Sequence, residues 1–198
     1  MFKQNHHRRS IRLKEYDYST EGGYFITIVT YQRESLFGEI IDGDMCLNHY
    51  GQIVKEEWFT TAKLRTRVEL IEDEFVIMPN HIHGIVWLNS NDMLDTGRGT
   101  ARCAPTISPK ISTISPTPNR QFGQMDPNSI PVIVRAFKSA VTKRINNLRQ
   151  TSGQSVWQRN YYEHIIASER DYAEISDYIL FNPLNWNKDQ EYFAGLTG

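Results

Sequence analysis

The stretch VELIEDEFVIMPNHIHGIVWL, residues 68–88, decides how this chain folds. It holds two runs rich in Val, Ile, Phe and Trp, and the segment Met78-Pro79-Asn80-His81 between them carries turn residues. The runs are too close in sequence for a crossover helix, so the stretch reads as two strands paired antiparallel. Two histidines, His81 and His83, stand one residue apart in the second strand.

Working outward, GGYFITIVTYQR (22–33) follows a Gly-Gly break and is rich in β-branched and aromatic residues, which predicts a first strand. LFGEI (36–40) is a short extension or hairpin return. LNHYGQIVKEEWFTTAKLRTR (47–67) spaces Ile53, Trp58, Phe59, Ala62 and Leu64 near the helical period. IPVIVRAFKSAVTKRINNLRQ (130–150) predicts a basic helix with Val134, Phe137, Val141 and Ile145 along one side. A further strand is expected from Tyr161 to Ile166, and ERDYAEISDYILFNPLNW (169–186) reads as a last helix stopped by Pro183. The order strand, helix, strand, strand, helix, strand, helix predicts an α+β protein. Its architecture would be a ferredoxin-like split βαβ antiparallel sheet with helices packed on one face. The paired strands of 68–88 would be central, and His81 and His83 would lie on one of them.

A chain of 198 residues fits a single domain. Residues 1–20 form a basic N-terminal arm. Residues 89–129 lose all apolar periodicity in favour of Ser, Thr, Pro, Gly and Asn, the pattern of a flexible surface insertion. Cys46 and Cys103 lie far apart in unlike contexts, which argues against a zinc ribbon or a redox pair. The N-terminus has no apolar core of a secretory signal, and no run approaches the roughly 20 apolar residues that cross a bilayer. No membrane partner is expected, and the cytoplasm is the expected location.

A formal net charge of -1 conceals segregation. Residues 1–14 carry Lys3, Arg8, Arg9, Arg12 and Lys14 without an acid. Residues 127–162 carry Arg135, Lys138, Lys143, Arg144, Arg149 and Arg159, again without an acid, while acids gather in 39–74. Separate basic blocks can form one positive surface after folding, and a phosphate backbone is the usual target of such a surface. Solvated helix faces and a mobile tail are the alternative.

On a strand, residues i and i+2 share a face about 6–7 Å apart, so the two imidazoles can address a single ion. Two histidines meeting by chance is the competing explanation. A metallo-hydrolase pattern would continue with an Asp-His pair and a cupin would supply a nearby Glu; Gly84 to Leu88 offer neither. In the last helix, Tyr178 and Asn182 stand four residues apart and share a face if the helix reaches that far. Among the tyrosines of this region only Tyr178 has an amide side chain at that offset. A phenol, with an ordinary pKa of about 10, needs a metal-polarised phosphate to act as a nucleophile at neutral pH. Two imidazoles and an amide oxygen would hold such a metal and leave positions open for phosphate oxygens. A half-buried tyrosine and a helix-ending asparagine before proline are the plainer alternative.

MPNHIHGIV, then a basic helix, then VWQRNYYEHIIASERDYAEISDYILFNP resembles the single-tyrosine HUH transposases of bacterial insertion-sequence type. Within that group the likeness is to the REP-associated tyrosine transposases, and it runs from about residue 10 to 187 apart from the insertion. The resemblance implies His81, His83 and Asn182 as ligands of Mg²⁺ or Mn²⁺ and Tyr178 as the catalytic nucleophile. It implies DNA transposition and recombination through nicking of single-stranded DNA beside a hairpin, by way of a 5′-phosphotyrosine. Many such enzymes carry Gln where this chain has Asn182, and the residue before a proline is disfavoured in helical geometry. DNA contacts are expected from Arg8, Arg9, Arg12, Arg135, Lys138 and Lys143, and a structural role is expected for His164. A monomer is expected over a homodimer. The alternative to an enzyme is a domesticated, non-catalytic DNA-hairpin binding protein, which the joint presence of three ligand positions and Tyr178 disfavours. A replication-initiation or relaxase nuclease would bring a second tyrosine, a third motif histidine or a helicase domain, none of which is evident here.

Overall fold

The computed structural model describes residues 16–90 and 126–186. Arg8, Arg9 and Arg12, most of the N-terminal arm, residues 91–125 of the expected insertion, and Cys103 lie outside the described residues. In chain order the elements are β1 (Gly22–Val29), β2 (Gly38–Ile41), β3 (Asp44–Leu47), α1 (His49–Lys63), β4 (Val68–Glu69), β5 (Phe75–Met78), β6 (His81–Leu88), α2 (Ile130–Leu148), β7 (Tyr162–Ile166) and α3 (Glu169–Phe181). A single 3-10 turn, Pro183–Asn185, follows α3.

The main sheet runs β4-β6-β1-β7, with β5 also paired to β6, and all its pairings are antiparallel. This is the strand order of the expected ferredoxin-like fold. LFGEI begins a separate hairpin, β2 with β3. Of the two strands in 68–88 only β6 is central. Its partner is an edge, broken into β4 and β5 by a 3-10 turn at Glu72–Glu74, because β1 inserts between β6 and β7 and takes the other central place.

Alternation along the central strands divides the core in two. Tyr24, Ile26 and Ile28 of β1 and Ile82, Val86 and Leu88 of β6 face α1 and α2, joining Trp58 and Phe137 in the larger cluster. Asn48 starts α1, its side chain accepting from the backbone N–H of Tyr50 and Gly51. Gly84 is required on this face: a Cβ there would lie 2.6 Å from the Trp58 ring and 2.9 Å from Phe75. Without it the Trp58–Phe75 stack, with centroids 4.6 Å apart, could not rest on β6. Arg144 of α2 ties the helix pair by bonds to Glu56 and Glu57 at 2.6 and 2.9 Å.

The expectation of helices on one face holds for α1 and α2 and needs correction for α3. Phe25, Ile85 and Ile166 make the opposite face apolar too, and Ile179 of α3 buries against them. A sheet apolar on both faces must be covered on both.

Candidate active site

Along β6, His81 and His83 point to the α3 side of the sheet, and each is only 1% exposed. Their ring centroids are 4.5 Å apart. Each imidazole has a dedicated partner on Nδ1. Asn80 Oδ1 lies 2.7 Å from His81 Nδ1, while the Asn80 amide nitrogen donates to the Arg33 carbonyl at 3.4 Å. An amide oxygen only accepts, so His81 carries its proton on Nδ1 and presents a lone pair at Nε2. Thr27 stands directly opposite His83 in the β1–β6 ladder, and its hydroxyl is 2.8 Å from His83 Nδ1.

α3 brings Tyr178 over this pair. Its hydroxyl lies 3.2 Å from His83 Nε2, and the residue remains 36% exposed. Phe25 holds both rings, stacked on His83 at 5.5 Å and edge-on to Tyr178 at 6.1 Å. One turn further on, Asn182 keeps helical backbone angles (φ -59, ψ -44) despite Pro183. Another turn on, Trp186 stacks on His81 with centroids 5.9 Å apart. Asn182 sits between those two contacts on the same helical stripe, so its side chain faces the histidines. It is 1% exposed, and neither its Oδ1 nor its Nδ2 has a hydrogen-bond partner. An orphaned buried amide is costly and suits a group that receives a ligand.

Among the described residues no group of three or more His, Cys, Asp or Glu side chains could hold a metal ion. The set that could is mixed: two imidazole nitrogens and one amide oxygen, a donor set suited to a hard or borderline divalent cation.

The basic residues lie elsewhere. α2 packs on the opposite face of the sheet, so Arg135, Lys138 and Lys143 are not brought to the histidines. They line an open groove of about 750 Å³ between α2 and residues 153–161, together with Thr142, Arg159 and Tyr161 and without any acid. Lys138 is turned inward: its Nζ donates to the carbonyls of Gln158 (2.6 Å) and Arg159 (3.1 Å), and burial pulls its ammonium down to about 8. Arg135 and Lys143 stay exposed. His164 pairs through Nε2 with the Asp171 carboxylate at 2.9 and 3.0 Å, the structural role expected of it. Burial pushes the Asp171 carboxyl up, but the Ala167 N–H and His164 together outweigh it and hold it below its ordinary 3.8.

Residue spacing alone misses Thr27, Asn80, Phe25 and Trp186. Trp186 was within reach, since it extends the four-residue rhythm of Tyr178 and Asn182. Thr27 and Phe25 required the β1–β6 register.

No family model matches the chain. It is 42% identical over 187 residues, 94% of each chain, to an uncharacterized protein of Haemophilus influenzae. It is 26% identical over 170 residues to a second protein of Haemophilus influenzae, provisionally named a REP-associated tyrosine transposase, covering 85% of this chain and 73% of that one. The resemblance to the REP-associated tyrosine transposases is thus borne out as a similarity of sequence. Two solved structures are also similar. One is a REP-associated tyrosine transposase bound to a REP hairpin (17% identity, TM-score 0.48, covering 89% of this chain and 74% of that chain). The other is a protein of Deinococcus radiodurans provisionally named a transposase (16% identity, TM-score 0.42, covering 86% and 95%).

Proposed function

We propose that this protein is a DNA-hairpin-directed transposase, a divalent-metal-dependent enzyme that nicks single-stranded DNA and transfers the strand through Tyr178. What supports the reading most is the meeting of three features. The Tyr178 hydroxyl is 3.2 Å from His83 Nε2, the imidazoles of His81 and His83 are 4.5 Å apart, and the buried Asn182 amide lacks a hydrogen-bond partner.

His81 and His83 through Nε2, and Asn182 through Oδ1, would hold Mg²⁺ or Mn²⁺. When bound, such an ion polarises a phosphate and favours the phenolate form of a nearby tyrosine. Asn80 and Thr27 orient the two rings, the role that outer partners of metal-binding histidines generally play. Phe25 and Trp186 wall the pair with aromatic carbon and exclude water. Tyr178 Oη forms a bond to phosphorus as the bond to the 3′ oxygen breaks. The phenolic proton passes to solvent and the departing 3′ oxygen takes one from solvent, so charge and atoms balance. The product is a 5′-phosphotyrosine and a free 3′-hydroxyl, and the retained phosphodiester energy allows resealing to another 3′ end. Arg135 and Lys143 would contribute phosphate contacts in their acid-free groove, with Arg8, Arg9 and Arg12 as further cations. A monomer is the reading we favour over a homodimer, and what supports it is that the Tyr178 hydroxyl and His83 of one chain stand within hydrogen-bond distance.

The test is a labelled single-stranded DNA bearing a hairpin, incubated with Mg²⁺ or Mn²⁺ and run on a denaturing protein gel. Wild type gives a covalent species, and Tyr178→Phe gives none while still binding the hairpin. Replacing His81 and His83 by Ala removes cleavage, as does chelator. An adduct of full yield in Tyr178→Phe assigns the nucleophile elsewhere.

A further inference from the structure

α3 is thinly anchored for an element that carries a nucleophile: of its 13 residues only Ile179 is fully buried. A helix held by a narrow apolar stripe can slide or rotate at little cost, and one turn of slip displaces a side chain by about 5.4 Å. The 3.2 Å contact between Tyr178 and His83 tolerates far less. At the start of α3, the Asp171–His164 pair is partly open to water, with side chains 25% and 41% exposed.

A second clasp is drier. Glu74 closes the 3-10 turn that interrupts the edge strand, and it is only 4% exposed. Its carboxylate accepts from the Trp87 indole N–H of β6 at 2.6 Å and from the Tyr172 hydroxyl of α3 at 2.7 Å. Trp87 and Tyr172 also pack against each other, with centroids 5.8 Å apart. A carboxylate is costly to bury, and two short charge-assisted bonds are what hold it there. These bonds are directional where the apolar stripe is not. They join the edge strand, the histidine-bearing strand and the tyrosine-bearing helix at one point.

We infer that Glu74 is a positioning residue that sets the register of α3 on the sheet through Tyr172, and so places the Tyr178 hydroxyl over His83. The inference rests on the proposed role of Tyr178 only for its effect on rate.

Tyr172→Phe deletes one hydroxyl and keeps the ring packing; Glu74→Gln keeps the shape and weakens both bonds. Two readouts separate positioning from simple stability. The first is the single-turnover rate of adduct formation at saturating hairpin DNA, set beside the hairpin Kd. Each variant is expected to lose about tenfold in rate, as a misplacement of less than an ångström can cause, with Kd within about twofold. The double variant is no slower than the slower single, since the Tyr172 hydroxyl acts only through its bond to Glu74. The second readout needs neither DNA nor metal: the nuclear Overhauser contact between the Tyr178 and His83 rings, strong in wild type and weakened in both variants. A folded Tyr172→Phe protein with wild-type rate and an intact ring contact overturns the inference, as does a rate loss matched by an equal loss of hairpin affinity. If wild type forms no adduct, the proposed function fails, and the ring contact alone decides the role of Glu74.

Discussion

Replacing Thr27 by Val removes one hydroxyl from the floor of the site and preserves its shape. That hydroxyl is 2.8 Å from His83 Nδ1, and Thr27 and His83 are 3% and 1% exposed, so both are shielded from bulk water. A ring nitrogen left unsatisfied in such a position costs about 1–3 kcal/mol, and Tm should fall by several degrees. The second consequence concerns the ring. With its Nδ1 partner gone, His83 is free to rotate or to carry its proton on Nε2, the nitrogen that faces Tyr178. Loss of such an outer partner weakens metal binding by about 10–100-fold elsewhere. The measurement is adduct formation titrated with Mn²⁺, beside a thermal melt. The expected result is a Mn²⁺ midpoint raised by about 10–100-fold, with much of the adduct restored at high Mn²⁺. A variant that melts lower yet keeps the wild-type Mn²⁺ midpoint would show that the bond serves packing alone and does not orient His83 as a ligand.

Other consequences are open to direct measurement. Gly84→Ala pushes a methyl into Trp58 and Phe75 and should destabilise by about 1–3 kcal/mol in a denaturant titration; an unchanged midpoint would mean α1 can lift off β6 freely. The Lys138 ammonium titrates at about 8 when folded, against an ordinary 10.5, so the unfolded chain binds more protons between those values and this group's contribution to stability rises with pH across that window. Wild type should therefore gain on Lys138→Met as pH climbs from 8 towards 10, and a gap independent of pH would contradict the burial argument. Replacing Arg135 and Lys143 together by Ala should weaken hairpin binding and lower the salt slope by about two, with sequence preference intact; an unchanged slope would take the groove out of the DNA path.

The topology was legible because strand pairs and helices alternate in a restricted order, and because the 78–81 turn leaves β5 no partner other than β6. Tyr178 and the two histidines were legible because strand and helix periods put them at fixed offsets. What stayed hidden depends on pairing. No local pattern says that Thr27 meets His83, or that Glu74, separated from Tyr172 by almost a hundred residues, shares a bond with it. The placement of α3 could have been anticipated: β1 is apolar at both odd and even positions, Phe25 as well as Tyr24 and Ile26, and such a strand cannot leave one face to water. Counting charge could not show that Lys138 turns inward, its Nζ donating to the Gln158 carbonyl.

The interruption at Glu72–Glu74 also governs how this protein can meet other chains. An unbroken border strand offers a row of backbone donors and acceptors on which foreign strands can grow. Here that border is split into a two-residue and a four-residue piece with three acids at the kink, so it makes a poor template. Lengthening of this sheet, in ordered assembly or in aggregation, is thereby confined among the described residues to the outer side of β7.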